Sequence, residues 1–261
     1  MTDCAVPEAA LCWELGVVQQ PKQGETVCGD RIAVFRENDR LRLVLSDGLG
    51  SGIQAGIAST LTATLLAGLT ERGVSLEDAV RSASAVLPTT KKHGLAYATF
   101  TLVSAEGRTL HLVQYDNPMA LFLRDGVSLP YPYRERSVSD KTLLESELNA
   151  KCGDMLILFS DGVSEAGRGL TTYAGWDRRE MEDYLLRSVR PDDDARRVAA
   201  SIVSAVQALD LFSFHDDTTV AVLRLRERLS VTIAVGRCGG CAADLTLEDG
   251  AALEELLELL F

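Results

Sequence analysis

Four acidic positions in this chain share one local pattern. Gly29-Asp30, Ser46-Asp47-Gly48, Ser160-Asp161-Gly162 and Asp216-Asp217 each stand where an apolar run begins or ends, beside glycine or another small or turn-forming residue. Strand ends in a layered sheet converge on one cleft, and glycine lets the backbone pass close to whatever lies there. Carboxylates gathered without a counter-charge repel one another, which raises their pKa values. A divalent cation resolves that conflict. Mn2+ and Mg2+ take hard oxygen ligands, and a pair of them against three or four carboxylates leaves a centre that accepts an anionic phosphate. Two ions roughly 4 Å apart also activate a bridging water and neutralise charge developing on phosphoryl oxygens. The chemistry in view is phosphomonoester hydrolysis without a nucleophile from the protein. One Asp-Gly at a strand end is ordinarily only a turn; the set of four carries the weight.

The elements that must position these residues follow from local pattern. Residues 31 to 47 read as a hairpin: RIAVF, a turn at Glu37-Asn38-Asp39-Arg40, then LRLVLS, with Asp30 just before it and Asp47 at its end. After the glycines Ile53, Ile57, Leu61 and Leu65 recur every fourth residue, joined by Leu66 and Leu69, predicting a helix with an ordinary core stripe. A second helix starts at Ser75 as N-cap, with Asp78 three residues on, and runs to Pro88. AYATFTLVSA, TLHLVQY and MALFLRDG then predict a meander of neighbouring antiparallel strands. Residues 130 to 150 read as turn-rich and charged, MLILFS as a strand, and GRGLTTYAGW as irregular. Two helices follow, one over about Asp177 to Val189 and one after Pro191 carrying Val198, Ile202, Val203, Val206 and Leu209; TTVAVLRLR is the next strand. The order of strands, two helices, strands, two helices, strand indicates an α+β layered domain rather than regular βαβ units.

Composition narrows the function classes. The 261 residues are 46% hydrophobic, ample for a folded core, and the net charge of −12 argues against nucleic acid or an anionic membrane surface as partner. No apolar stretch reads as approaching the length of a membrane span, and MTDCAVPEAALC lacks the basic region of a signal peptide, so the expected location is cytoplasmic. Six scattered cysteines, in a chain able to build its own core, do not need a disulfide framework, and most of them read as small buried groups.

CGD, LSDGLGSGIQA, FSDGVSEAG and DDTTVAVL, in that order over about residues 12 to 226, resemble the signature of the metal-dependent protein phosphatase (PPM, protein phosphatase 2C-like) superfamily, in its bacterial SpoIIE-like branch. DNPMALFLRDG resembles the same branch. The resemblance implies a four-layer αββα sandwich, two antiparallel β-sheets flanked by helices, with a site for two Mn2+ or Mg2+ ions at one end. Carried over residue by residue, Asp47 bridges both ions, and the Gly48 carbonyl joins the coordination of one. Asp30 serves the first ion directly or through water, and Asp161 and Asp216 complete the second. Asp216 and Asp217 are both candidate metal ligands: Asp216 matches the ligand position of the Asp-Asp pair and Asp217 more often supports the local turn, and the sequence leaves the choice between them open. Asp47 and Asp30 are thus the expected catalytic residues.

The implied activity is phosphoserine/phosphothreonine protein phosphatase, with a hydroxide bridging two metals and a phosphorylated bacterial regulatory protein, such as an anti-sigma-factor antagonist, as substrate. A catalytically inactive signalling or sensor module and a small-molecule phosphoesterase are the alternatives. The substrate-holding Arg of eukaryotic members is missing; Lys22 in QQPKQGETVCGD is the nearest basic candidate. Relatives in this branch use the two helices after the first Asp-Gly as a switch. Gly50, Gly52 and Gly56 make that helix start easy to remodel and are the regulatory candidates. The first helix pair or the C-terminal helix is the expected partner or dimer contact.

His93, His111 and His215 are too dispersed for a zinc site, and structural roles are expected for all three, although His215 borders the fourth acidic site. The motif-rich region, residues 1–227, is expected to form one domain. Residues 228–261 read as an extension: a short strand, a loop with Cys238-Gly-Gly-Cys241, and a helix striped with Leu253, Leu256, Leu257, Leu260 and Phe261. The cysteine pair reads as a redox pair, half a metal site or, in preference, two ordinary thiols. The stripe docks on the domain, meets a partner, or begins a further unit if the chain continues.

Overall fold

A computed structural model of the chain describes residues 11–37, 40–86, 98–139, 141–169 and 175–228. The chain divides into two compact units, Trp13–Leu225 and a second made of its ends, Met1–Cys12 with Arg226–Phe261. Of the second unit only Leu11, Cys12 and residues 226–228 are described. The expected extension, with Cys238 and Cys241, therefore lies almost wholly outside the described residues, as do Cys4 and His93. Cys12, Cys28 and Cys152 are free thiols.

The elements run β1 (Leu11–Gln20), β2 (Asp30–Glu37), β3 (Arg40–Gly48), α1 (Gly52–Glu71), α2 (Leu76–Val86), β4 (Ala98–Glu106), β5 (Thr109–Tyr115), β6 (Leu121–Arg124), β7 (Val127–Leu129), β8 (Arg134–Val138) and β9 (Lys141–Asn149). Then come β10 (Met155–Phe159), α3 (Asp161–Ser164), α4 (Arg178–Ser188), α5 (Ala195–Leu209) and β11 (Thr218–Glu227). They form a five-stranded sheet, β1-β11-β10-β6-β7, and a six-stranded sheet, β2-β3-β4-β5-β9-β8. The expected α+β sandwich is what the structure shows.

Alternation along the strands builds its layers. In β3 Val44 packs with Ala63, Leu66 and Ala67 of α1 and Val80 of α2, so Leu43 and Leu45, buried on the opposite face, point toward the other sheet. In β10 Ile157 packs with Leu185 of α4 and Ile202 of α5, which turns buried Leu156 and Leu158 inward. Each sheet thus carries its own helix pair. Both later helices start at aspartate caps: Asp177 forms a capping box with Glu180, and Asp194 accepts from the Arg197 N–H.

Three expectations are corrected. The meander ends at β5, because β6 crosses to the other sheet and pairs with β10. The stretch 130 to 150 holds β8, the charged and mostly exposed edge strand of the six-stranded sheet, and β9 between it and β5; β1 and β7 were not anticipated either. The third concerns α1. Its buried face is made of small residues, Gly52, Ala55, Ala58, Ser59, Thr62, Ala63 and Ala67 with Leu66, while Ile53 and Ile57 are exposed. Close packing of this helix's start on the β2–β3 hairpin favours small side chains, so the first half of the apolar repeat, Ile53 and Ile57, points outward, while Leu65 still packs on the core. At twenty residues α1 is also long and apolar enough to cross a membrane by length and composition, against the expectation that no stretch approached a span; its small-residue face packs on the sheet.

Candidate metal centre

The hairpin register places Asp30 directly opposite Asp47 across β2 and β3. Such partners stand about 4.5–5.5 Å apart at Cα and present their side chains on one face. From the other sheet, β10 ends at Phe159 and delivers Asp161 at the start of α3, while its antiparallel neighbour β11 begins just after Asp216 and Asp217. The serines of the two Ser-Asp-Gly sequences do equivalent work. Ser46 donates to the Thr99 carbonyl on β4 at 2.8 Å, and Ser160 accepts from the Thr219 N–H on β11 at 3.0 Å. Each ties the strand end that carries the aspartate to its neighbour.

Asp30 is 3% exposed, and neither of its carboxylate oxygens has a hydrogen-bond partner; Asp217 Oδ2 is likewise buried and unpartnered. The hydroxyls of Thr219 and Ser160 stand nearby; Thr219 Oγ1 accepts from Gln19 Nε2 at 3.2 Å, and Ser160 Oγ from the Thr219 N–H. Burial pushes Asp30 up to about 7, with the charges of Asp217 and Asp161 adding to the rise against those hydroxyls. Asp47 is pushed up to about 10, first by burial, then by the charges of the nearby Asp30 and Asp161 carboxylates. Burial also raises Asp216, with the charge of Asp161 adding and the Asp217 N–H and Lys22 opposing. Cys28, two residues before Asp30, is pushed up to about 12 by burial and by the charge of Asp30, so its thiol is neutral.

The predicted acidic residues are therefore brought together, and Asp47 meets a carboxylate from each sheet. Among the described residues no three His, Cys, Asp or Glu side chains close into a ready cage around an ion. The fit to a cation rests on the orphaned buried oxygens and on mutual repulsion. Unpaired buried carboxylates are strongly unfavourable, and hard divalent ions are the counter-charge that all-oxygen donors select.

Glycine is required where backbone crosses close. A Cβ on Gly48 would lie 2.1 Å from the Ala55 carbonyl oxygen, so α1 rests on the residue after Asp47. Of the regulatory candidates, Gly52 has φ +72 and lies against Glu25, and Gly56 lies against Cys28 and Val27. Gly50, φ +92, touches nothing. The start of α1 thus packs on the loop leading to Asp30. Lys22 sits at this centre through its backbone, its N–H donating to Asp217 Oδ1 at 3.0 Å, and its charge lowers the pKa of Asp216. Asp217 therefore has a holding role of its own, clasping the loop of Lys22. His215 faces Asp210, Nδ1 to Oδ1 at 3.4 Å, and His111 faces Glu147, in keeping with structural roles.

Two supporting residues escaped sequence reasoning. Asn117 Nδ2 donates to Thr101 Oγ1 at 3.1 Å and to the Leu45 carbonyl at 3.4 Å, and its Oδ1 accepts from Thr99, which pins the turn after β5 to the strands around Asp47. Gln19 bridges Thr219 and the Asp30 carbonyl at 3.5 Å, joining β1 and β11 to β2. The DNP turn was the visible signal for Asn117; nothing local marks Gln19.

The family model for Stage II sporulation protein E (SpoIIE) matches residues 37–226. Asp47, Asp161, Asp216 and Asp217 lie inside that span; Asp30 and Lys22 precede it. The chain is 23% identical over 222 residues to the Stage II sporulation protein E of Priestia megaterium, across 82% of this chain and 36% of that protein. It is 22% identical over 232 residues to the phosphoserine phosphatase RsbU of Bacillus subtilis (strain 168), across 81% of this chain and 63% of that one. It therefore spans less than two thirds of either relative. In architecture it matches the PP2C phosphatase domain, with a fragment of the regulatory domain, of SpoIIE from Bacillus subtilis, with a TM-score of 0.70 at 19% identity over 84% of this chain and 63% of that one.

Proposed function

This chain belongs to the Stage II sporulation protein E (SpoIIE) family, and on that premise we propose that it is a phosphoserine/phosphothreonine protein phosphatase dependent on two Mn2+ or Mg2+ ions. One observation carries the reading: carboxylates from both sheets crowd together, two of them with buried oxygens that no donor satisfies. The name of the phosphoserine phosphatase relative supports the reaction class.

When bound, the ions supply Lewis acidity that makes water nucleophilic near neutral pH and neutralises charge gathering on the phosphoryl oxygens. Asp47, between Asp30 and Asp161, would be shared by the two ions; Asp30 and the Gly48 carbonyl would hold one, and Asp161 with Asp216 the other. Asp217 clasps the Lys22 loop at the rim. The neutral Cys28 thiol does not compete as a ligand for hard ions. The substrate class is a phosphorylated regulatory protein, with phosphate held chiefly by the metal centre and Lys22, whose charge acts on Asp216, as a positive helper.

Hydrolysis of p-nitrophenyl phosphate and of a phosphoserine peptide with and without Mn2+ tests the proposal. Turnover that needs Mn2+ and stops in excess chelator is expected; full turnover in chelator contradicts it.

A further inference from the structure

The loop between α5 and β11 does something its sequence does not require for folding. Helix α5 closes in a Schellman arrangement: the Leu211 N–H donates to the Ala208 carbonyl at 3.3 Å and the Phe212 N–H to the Gln207 carbonyl at 2.7 Å. The left-handed position of this motif belongs by preference to glycine or asparagine. Here two successive large apolar residues take it, Leu211 at φ 55 and Phe212 at φ 67.

Neither uses that conformation to reach the core. Leu211 is 69% exposed and Phe212 82% exposed, the two most exposed of the large apolar side chains among the described residues. The backbone beneath them is held from several sides. Buried Asp210 accepts from the Gly167 N–H at 2.6 Å and the His215 N–H at 3.0 Å, tying this loop to the segment after Asp161. The Gln23 N–H donates to the Phe214 carbonyl at 2.8 Å, tying it to the loop of Lys22. Phe212 stands four residues before Asp216. A disfavoured backbone, fixed by hydrogen bonds to the segment after Asp161 and to the loop of Lys22, thus displays two apolar side chains just before the fourth acidic site in the chain.

We propose that Leu211 and Phe212 are the docking contact for a phosphoprotein substrate, taking apolar surface that flanks its phosphoserine. The inference rests on the phosphatase reading above and deepens it. Any protein that brings a phosphoserine to Asp47, Asp161 and Asp216 must approach the segment that leads into Asp216. The metal centre takes the phosphate itself, but the chain's net charge of −12 offers the rest of an anionic substrate no general attraction. Affinity beyond the phosphate then falls to apolar contact, and anchors of this kind work best when held rigid before binding.

The test uses two phosphoserine peptides of equal length and charge, one with leucines flanking the phosphoserine and one with serines. The enzymes are the wild type and the double variant Leu211→Asn/Phe212→Asn; asparagine keeps the left-handed backbone while removing the apolar surface. The wild type is expected to favour the leucine peptide about tenfold in kcat/KM through KM, and the variant to lose that preference with p-nitrophenyl phosphate turnover unchanged. A preference that survives in the variant, or none in the wild type, overturns the proposal. A parallel fall on p-nitrophenyl phosphate also overturns it, since the loop would then only position Asp216. So does a dimer in sedimentation that the double substitution dissolves, which assigns the pair to a contact between copies. Fluorescence anisotropy of the labelled peptides reads the same preference without turnover, so a wild type that hydrolyses nothing but still selects the leucine peptide counts against the phosphatase reading and leaves the docking contact standing.

Discussion

The carbonyl oxygen of Asp217 lies 2.1 Å from the point where a Cβ on Gly162 would sit. The residue after Asp161 must therefore be glycine for β11 to enter beside β10 with its aspartates at the centre. The same holds for Gly48 and Ala55 at the first Ser-Asp-Gly. The recurrence of that tripeptide is a matter of geometry: serine fastens the strand end to its neighbour, aspartate faces the cleft, and glycine admits a crossing backbone.

Gly162→Ala and Gly48→Ala are accordingly expected to destabilise the fold by roughly 1–3 kcal/mol each, as overpacking against backbone does. Gly68 in α1 has open space around it, and Gly68→Ala is expected to stabilise by about 0.4–1 kcal/mol. Urea denaturation of the three variants checks both signs; a neutral Gly162→Ala would count against the close crossing.

Asp47→Asn keeps the side chain's shape but removes a carboxyl that is ionised in the unfolded chain and must stay protonated beside a carboxylate from each sheet in the folded one. It is expected to abolish metal-dependent turnover, by at least about 1,000-fold, and to raise the stability of the metal-free protein at pH 8 by roughly 1–3 kcal/mol. Thermal melts in chelator read the second effect. A variant less stable than wild type would mean that Asp47 is a structural ligand of the fold.

The pH dependence follows from the raised pKa values. In the folded chain Asp30 and Asp47 hold their protons to about 7 and about 10, well above the value near 4 of an unfolded aspartate. Their contribution to stability is full below pH 4 and is lost as pH rises through the folded values. The metal-free protein should therefore weaken between pH 5 and pH 9, at up to about 1.4 kcal/mol per unit for each group still holding its proton. Mn2+, which binds the ionised form, should flatten the decline. Melting temperatures across that range in chelator and in Mn2+ make the comparison; a stability that rises with pH in chelator would refute the crowding.

Asn117→Ala removes the hydrogen bonds that pin the Asp116-Asn117-Pro118 turn to the strands around Asp47. Turnover should fall about 10- to 100-fold through displaced ligands, with the fold retained. Unchanged turnover with an unchanged melt would make the turn a bystander.

Much of this centre was legible in the sequence because its chemistry is local. Asp30, Asp47, Asp161 and Asp216-Asp217 each sit at a strand end next to a small residue, and strand ends can be read from apolar runs. What escaped depends on packing between distant segments. No local pattern says that β6 leaves one sheet for the other, that Gln19 reaches Asp30, or that α1 buries alanine and glycine and turns Ile53 and Ile57 outward. Periodicity fixed the helix but not its facing, because a close helix–sheet contact selects for small residues and reverses the usual rule. The short helix α3 after Asp161 escaped as well, being too brief to show a period.

The central claim is that these carboxylates hold divalent cations, and titration calorimetry with Mn2+ at pH 7.5 in buffers of different ionisation heats addresses it directly. Saturable binding is expected, accompanied by proton release, because Asp47 titrates near 10 without metal, and both should disappear in Asp47→Asn. Binding without proton release, or heats that persist unchanged in Asp47→Asn, would contradict the account.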